Sequence, residues 1–215
     1  MDHAAEHTPH LAHHFSDMEQ QREAAKLGMW IFLLTEILLF GGLFTAYTIY
    51  RAWHPDMFYN AHKQLSLVLG TINTIVLITS SVTMALAIRS IQTGIKKRTI
   101  VFLSITLILA ATFLVIKFFE YHHKFELGQL PGKYYTYTGI EGTNPHIFFS
   151  IYFMMTGLHA IHVIVGMGLI SWMLTKTARG IFSPVYYTPL EMTGLYWHLV
   201  DIIWIFLFPL LYLVG

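Results

Sequence analysis

Five apolar runs, each of about 20 residues or more, dominate this sequence. They cover residues 27–50, 65–88, 99–119, 147–174 and 193–214. A helix needs about 20 consecutive apolar residues to cross the hydrocarbon of a bilayer, because each residue adds only about 1.5 Å to its length. The sequence therefore predicts an all-α fold, a polytopic membrane helical bundle with five transmembrane helices.

The composition agrees with a membrane protein and excludes several classes of site. Of the 215 residues, 55% are hydrophobic and 12% are charged, whereas soluble domains carry about 25% charged residues. The absence of cysteine excludes disulfides, thiolate metal sites and cysteine nucleophiles. A formal net charge of +1 argues against a nucleic acid as the partner.

The first 26 residues differ from the rest of the chain. They are polar, they include His3, His7 and His10, and they lack the apolar segment of a signal peptide. A histidine-rich tract can bind a metal ion, but a solvated tail whose second half forms a surface helix leading into the membrane is favoured. We therefore divide the chain into this tail and surface helix, residues 1–26, and a five-helix membrane domain, residues 27–215.

The basic residues predict how the chain is oriented in the membrane. Five crossings place the two termini on opposite sides, and lysine and arginine are enriched on the cytoplasmic side. Eight of the 13 basic residues lie on the N-terminal side: Arg22, Lys26, Arg89, Lys96, Lys97, Arg98, Lys176 and Arg179. The other five lie opposite: Arg51, Lys63, Lys117, Lys124 and Lys133. We predict a cytoplasmic N-terminus and a periplasmic C-terminus.

Six ionisable side chains lie within the apolar runs or at their ends. They are Glu36, Glu120, His159, His162, His198 and Asp201. Such a group at bilayer depth costs several kcal/mol unless it is paired or faces other protein. His159 and His162 are three residues apart, as are His198 and Asp201, so each pair shares one face of a helix. These faces should point into the bundle rather than toward lipid.

The residue types leave several roles open for this set. Two histidines in one helical turn suggest a metal site, and spacing alone does not reject one. A buried carboxyl such as Glu36 suits a proton relay, but it also suits a bond to another helix or to a lipid headgroup. When Glu36 is considered without the other residues, the structural or lipid role is favoured over the relay. Arg89 can extend toward headgroups. The adjacent His122 and His123 point about 100° apart, so an interfacial role is favoured for them.

Several short blocks resemble the subunit III family of haem–copper terminal oxidases, and cytochrome c oxidase subunit III in particular. The blocks are KLGM at 26–29, TE at 35–36, NT at 73–74, EY at 120–121, GLHAIHV at 157–163, Glu191, and YWHLVD at 196–201. Their order and spacing agree with the family over nearly everything from residue 26 onward. The chain resembles the five-helix bacterial form, which lacks the first two helices of longer members.

The resemblance implies an accessory subunit in the bacterial inner membrane that performs no redox chemistry of its own. Haem and copper are then expected in partner subunits and none in this chain, which would contact oxidase subunit I directly, bind phospholipid and support proton uptake. By position, Glu36 matches the family's buried carboxyl, and Lys176 falls where some members contact a lipid headgroup. Glu120, His159, His162, His198 and Asp201 match its polar bundle residues, while Glu36, Arg89 and Lys176 are the candidate lipid contacts.

Two departures and two alternatives accompany this interpretation. The loop before Glu191 reads Tyr-Tyr-Thr-Pro at 186–189 where many members have His and Gly, and the missing helices remove one wall of the lipid cleft. Subunit III of a quinol oxidase or a nitric-oxide-reductase accessory protein is the related alternative. A stand-alone membrane metalloenzyme with histidine ligands is the remote one.

We expect His198 and Asp201 to pair with groups on the fourth membrane helix or with Glu120.

Overall fold

The computed structural model describes residues 11–140 and 144–214, and in these residues it contains helices and no strand. The helices are α1 (Met18–Trp53), α2 (Pro55–His62), α3 (Leu67–Gln92), α4 (Lys96–Glu126), α5 (His146–Ala178) and α6 (Thr188–Phe208). A 3-10 turn (Gly132–Tyr134) lies between α4 and α5, and a π-helical turn (Pro209–Leu213) extends α6.

The predicted all-α bundle and its five transmembrane helices are confirmed. The helices that are long and apolar enough to cross a membrane are α1, α3, α4, α5, and α6 together with its π-helical turn. The last span begins at Thr188 rather than at residue 193, because Pro189 suits the first turn of a helix. The short α2 lies between the first two predicted apolar runs, 27–50 and 65–88.

The first membrane helix also begins earlier than its apolar run. Asp17 caps α1, and its carboxylate accepts a hydrogen bond from the backbone N–H of Gln20 at 2.8 Å. This bond lowers the pKa of Asp17 below its ordinary value. Met18 to Trp53 then form one continuous helix across the predicted boundary at residue 26. His3, His7 and His10 lie outside the described residues.

The five spans alternate in direction, so the bundle has two distinct ends. We call one the basic end, because it carries the eight basic residues of the N-terminal side, with α1, α4 and α6 beginning there. The opposite end, with α2 and residues 127–140, is the loop end. A Lys26–Glu191 ion pair of 3.7 Å joins the beginnings of α1 and α6 at the basic end. Tyr47 donates to the carbonyl of Leu210 at the loop end, at 2.6 Å.

The last span is the centre of the bundle and α1 is its periphery. Within its most apolar window, 56% of the last span is buried, against 11% for α1. The last helix packs against α1, α3 and α5, while α3 and α4 form a tight antiparallel pair. Most of the surface of α1 therefore remains free for lipid or another protein.

Small and hydroxyl residues bring the buried helices together. A Cβ atom on Gly166 of α5 would lie 2.7 Å from the Trp197 ring of α6, so only glycine permits this approach. The indole N–H of Trp197 donates to Ser80 at 3.1 Å. Thr83 and Thr106 share a hydrogen bond of 2.8 Å between α3 and α4. The hydroxyl groups of Ser80 and Thr83 thus join α3 to its two neighbours, α6 and α4.

Candidate functional site: ionisable contacts inside the bundle

A group of four side chains at the loop end, which we call the Lys117 cluster, contains the most deeply buried ion pair. Its members are Lys117 and Glu120 of α4, Tyr152 of α5, and Tyr212 of the π-helical turn. The Lys117 ammonium donates to Glu120 Oε2 at 2.8 Å and to the Tyr212 oxygen at 2.6 Å. Tyr212 in turn donates to Glu120 Oε1 at 2.6 Å. Both carboxylate oxygens of Glu120 are therefore occupied.

Aromatic rings enclose the Lys117 cluster and separate it from lipid. The ammonium of Lys117 lies 4.7 Å from the centre of the Trp204 ring, which allows a cation–π interaction. The Tyr152 hydroxyl lies 3.5 Å from both the ammonium and the Tyr212 hydroxyl. The side chains of Lys117 and Glu120 are only 6% and 3% exposed. This is the kind of environment in which each charge depends on its partners.

His159 lies next to this cluster but forms none of its hydrogen bonds. Its ring is fully buried between Phe113 and Trp204, with ring centres 5.5 Å and 5.2 Å away. Neither ring nitrogen has a hydrogen-bond partner within the described residues. His159 thus lies inside the bundle as expected, where its ring packs as an aromatic group.

Glu36 of α1 pairs with His162 of α5. The distance between Glu36 Oε2 and His162 Nε2 is 2.8 Å, and the two side chains are 15% and 14% exposed. His162 Nδ1 lies 2.8 Å from the carbonyl oxygen of Leu158. Glu36 is ten residues beyond Lys26, or about 15 Å along the helix, so the pair lies deep in the membrane part. It ties the peripheral α1 to the core.

His198 and Asp201 of α6 face α3, which corrects the expectation that they pair with the fourth membrane helix or with Glu120. His198 Nδ1 lies 2.7 Å from the Ser81 hydroxyl of α3. Ser81 is also a neighbour of Asp201, yet neither carboxylate oxygen of Asp201 has a hydrogen bond of good geometry in the described residues. The prediction was wrong because α6 turns this face toward α3, while Glu120 is held by Lys117 and Tyr212.

The remaining predicted residues lie on the surface. Arg89 is exposed at the basic end of α3, and the half-buried Lys176 places its ammonium 4.0 Å from the centre of the Trp172 ring. His122 and His123 are 61% and 66% exposed, with ring nitrogens 3.5 Å and 4.0 Å from Glu126. None of these four side chains takes part in the buried contacts.

The sequence analysis did not identify Lys117, Lys124 or Tyr212 as site residues. Both lysines were treated as basic residues flanking the membrane, although they are 5% and 2% exposed. A local signal for Lys117 was present, because it precedes Glu120 by three residues and so lies on the same helical face. Tyr212 is 92 residues away from Glu120 along the chain, and no local pattern connects them.

The histidines do not converge on a common point. His159 is enclosed by rings, His162 faces Glu36 and His198 faces Ser81, so each belongs to a different contact. Among residues 11–140 and 144–214, no three His, Asp or Glu side chains are arranged to hold a metal ion. A metal site would need several donors directed at one position.

Comparison with known proteins identifies the family of this chain. The family model described as cytochrome c oxidase subunit III matches residues 2–215. The chain belongs to this family. It is similar to cytochrome c oxidase subunit 3 of Thermostichus vulcanus, with 33% identity over 188 residues, which cover 87% of this chain and 86% of that protein.

Other relatives of this subunit III chain have different names. It is 30% identical to quinol oxidase subunit 3 of Bacillus subtilis over 206 residues, which cover 92% of each chain. It is also 30% identical to heme-copper oxidase subunit I+III of Aeropyrum pernix over 204 residues, which cover 90% of this chain and 23% of that protein. The chain is thus an integral membrane protein of the haem–copper oxidase subunit III family, and family membership supports a place as one subunit of an oxidoreductase complex.

Proposed function

We propose that this chain is the accessory subunit III of a bacterial aerobic terminal oxidase that accepts electrons from cytochrome c. It performs no redox chemistry itself, steadies the catalytic subunit I, holds phospholipid and supports proton uptake during oxygen reduction. The observation that carries the proposal is the family match over residues 2–215. The pairing of Lys117 with Glu120 and of His162 with Glu36 is consistent with an accessory role.

Contact with subunit I is supported by the relative from Aeropyrum pernix, whose name joins subunits I and III in one chain. Affinity purification of this chain from its own membranes tests the contact. Subunit I with its haem and copper is expected to co-purify in equal amount. A chain that purifies alone, with a stoichiometric metal that is lost in His159→Ala or His198→Ala, would instead support the metalloenzyme alternative.

A quinol oxidase is the second candidate, because the relative from Bacillus subtilis matches 92% of the chain. The electron donor binds outside this chain, so the purified complex must decide between the two. Oxygen consumption by the complex is measured with reduced cytochrome c and, separately, with a quinol. We expect turnover with cytochrome c, and turnover with quinol alone would assign the chain to a quinol oxidase.

A role in proton uptake is proposed for Glu36, which His162 holds next to a cavity of about 390 Å³ lined by His162, Met29 and Tyr196 among others. Glu36→Gln should slow turnover of the intact oxidase or hasten its inactivation during turnover at high pH. Glu126→Gln, an exposed carboxylate at the loop end, is the control. Reduced assembly with unchanged turnover per assembled complex would make Glu36 structural.

Phospholipid contacts are proposed at the basic end, where Arg89 is exposed and Lys176 is half-buried beside Trp172. Glu36 belongs to the same proposal, since apolar cavities of about 390 and 480 Å³ lie beside α1. Arg89→Gln and Lys176→Gln should each reduce the phospholipid that the purified complex retains. Lys133→Gln, at the loop end, should not.

The proposed orientation has the basic end in the cytoplasm. It is supported by the eight basic residues at that end and by the burial of Lys117 and Lys124, which leaves two exposed bases, Lys63 and Lys133, and the half-buried Arg51 at the loop end. Because the chain contains no cysteine, single cysteine variants can be labelled without background. An impermeant maleimide should label Lys133→Cys in intact cells but Lys97→Cys only after permeabilisation. The reverse pattern would invert the topology.

A further inference from the structure

A cavity with both polar and apolar walls lies at the loop end, far from the candidate lipid contacts at the basic end. Its volume is about 340 Å³, and it lies between the segment that enters α3 and the last turns of α4. Its polar walls include Lys63, Ser66, His123 and Lys124, and its apolar walls include Leu69 and Phe119. The cavity thus combines a cationic part with a part that faces the membrane.

Lys124 is the least compensated charge of this cavity. Its side chain is 2% exposed, and its ammonium donates to the backbone carbonyl of Gln64, a neutral partner. No carboxylate of the described residues lies within ion-pair distance of it. An ammonium has three N–H donors, so two remain after the bond to Gln64. A buried charge without a counter-charge costs several kcal/mol, which an anion in the cavity would offset.

Glu120 also lines the cavity and its carboxylate attracts the Lys124 ammonium, but the two side chains form no ion pair. One of its oxygens accepts from Lys117 at 2.8 Å and the other from Tyr212 at 2.6 Å. Its charge is therefore balanced by Lys117 within the Lys117 cluster. Lys63 is exposed at the mouth of the cavity, with its ammonium 3.7 Å from the centre of the Tyr59 ring, and His123 is exposed on the other side. The remaining balance of the cavity is positive.

The walls of the cavity indicate what kind of anion fits. Phe119 is 65% exposed on the membrane-facing side of α4, and Leu69 lies in the first turn of α3. Ser66 caps the beginning of α3, where backbone N–H groups lack helical partners and favour an anion. A phosphate with attached apolar chains satisfies both parts of the cavity, whereas free phosphate satisfies the polar part alone.

We propose that the cavity between α3 and α4 binds the phosphate of a glycerophospholipid, with Lys124 as its buried contact and Lys63 and His123 at its entrance. The acyl chains then run along Leu69 and Phe119. This site lies at the opposite end of the bundle from Arg89 and Lys176, and it does not depend on their role.

The test counts phospholipid in the purified oxidase complex. Wild type and Lys124→Met are washed in mild detergent, and the bound phospholipid per chain is measured by phosphorus assay and mass spectrometry. Lys124→Met should retain one phospholipid fewer. Lys133→Gln removes an exposed lysine from the same end but not from the cavity, so its lipid count should equal that of wild type.

A second variant keeps the test independent of folding. Lys63→Gln with His123→Gln changes only exposed side chains and should speed lipid loss several-fold. Spin-labelled phosphatidylglycerol, returned in vesicles, should show one immobilised lipid fewer per chain in Lys124→Met. Equal lipid counts in wild type and Lys124→Met, or displacement of the wild-type lipid by inorganic phosphate alone, would overturn the proposal. Assembly and turnover of the same preparations separate this failure from a failure of the subunit III assignment.

Discussion

Two acid–base contacts with the same separation lie inside this bundle in different surroundings. Lys117 and Glu120 are 2.8 Å apart, and so are His162 and Glu36. The first pair is 6% and 3% exposed and has a further partner in Tyr212, whereas the second is 14% and 15% exposed. Each pair borders a cavity, one lined by Glu120 and the other by His162. Distance therefore does not rank the two pairs. Burial and the number of partners decide how much the loss of one member costs.

The largest effect is expected when the Lys117 cluster loses its carboxylate. Glu120→Gln leaves the Lys117 ammonium buried without a counter-charge, which should destabilise the chain by about 3–5 kcal/mol. The measurement is resistance to unfolding by SDS in mixed micelles, with this chain followed in the purified complex. Adding Lys117→Met should recover much of the loss. If Glu120→Gln is no worse than Glu126→Gln, the cluster is not a buried ion pair.

The bridging hydroxyl should have the next largest effect. Tyr212→Phe removes the group that accepts from Lys117 and donates to Glu120. Hydrogen bonds to charged groups contribute about 1.5–3 kcal/mol, so a loss in this range is expected in the same SDS titration. Tyr152→Phe is the matched control, because the Tyr152 hydroxyl lies at 3.5 Å and should contribute less. Equal losses of stability in Tyr212→Phe and Tyr152→Phe would show that the bridging hydroxyl of Tyr212 contributes no more than that of Tyr152.

The pair at the edge of the core should tolerate neutralisation better. In Glu36→Gln the side-chain amide can still form a hydrogen bond with His162 Nε2, with its oxygen as acceptor or its N–H as donor, so a loss of about 1 kcal/mol is expected. The comparison with Glu120→Gln in one titration measures what burial contributes. A loss of stability as large as that of Glu120→Gln would show that 15% exposure of Glu36 does not reduce the cost of neutralising it.

An exposed pair completes the series with the smallest effect. His122 and Glu126 are 3.5 Å apart, one helical turn apart on α4, and 61% and 63% exposed. His122→Gln should change stability by less than about 0.5 kcal/mol, because water and salt screen such pairs. The same SDS titration at low and high salt checks this. A loss of several kcal/mol would mean that a partner covers this surface.

The sequence predicted the helices well because their signal is local. Five runs of spanning length determined the fold, and the spacing of His159 and His162 placed them on one helical face. The residues that these side chains contact on other helices could not be predicted from the sequence. Ser81 gave no signal that it would face His198, since small hydroxyl residues are common throughout α3. Which face of α6 meets which helix is decided by packing over the whole bundle.

The buried lysines show where a rule based on position is misleading. Lys117 and Lys124 lie near the end of an apolar run, where basic residues normally extend to the surface. Here aromatic rings and a tyrosine from the other end of the sequence enclose Lys117, and the carbonyl of Gln64 holds Lys124. The position of a basic residue near a helix end thus predicts how deep it lies in the membrane. It does not predict whether its side chain is exposed at the surface of the bundle.

The spacing of Lys117 and Glu120 has a consequence for biosynthesis. Membrane proteins are made from the N-terminus onward, so α4 enters the bilayer long before Tyr212 has been translated. A lysine and a glutamate three residues apart can neutralise each other during that interval without help from the rest of the chain. The tyrosine then arrives at a charge pair that already exists, and it completes the loop end as the last helix takes its place.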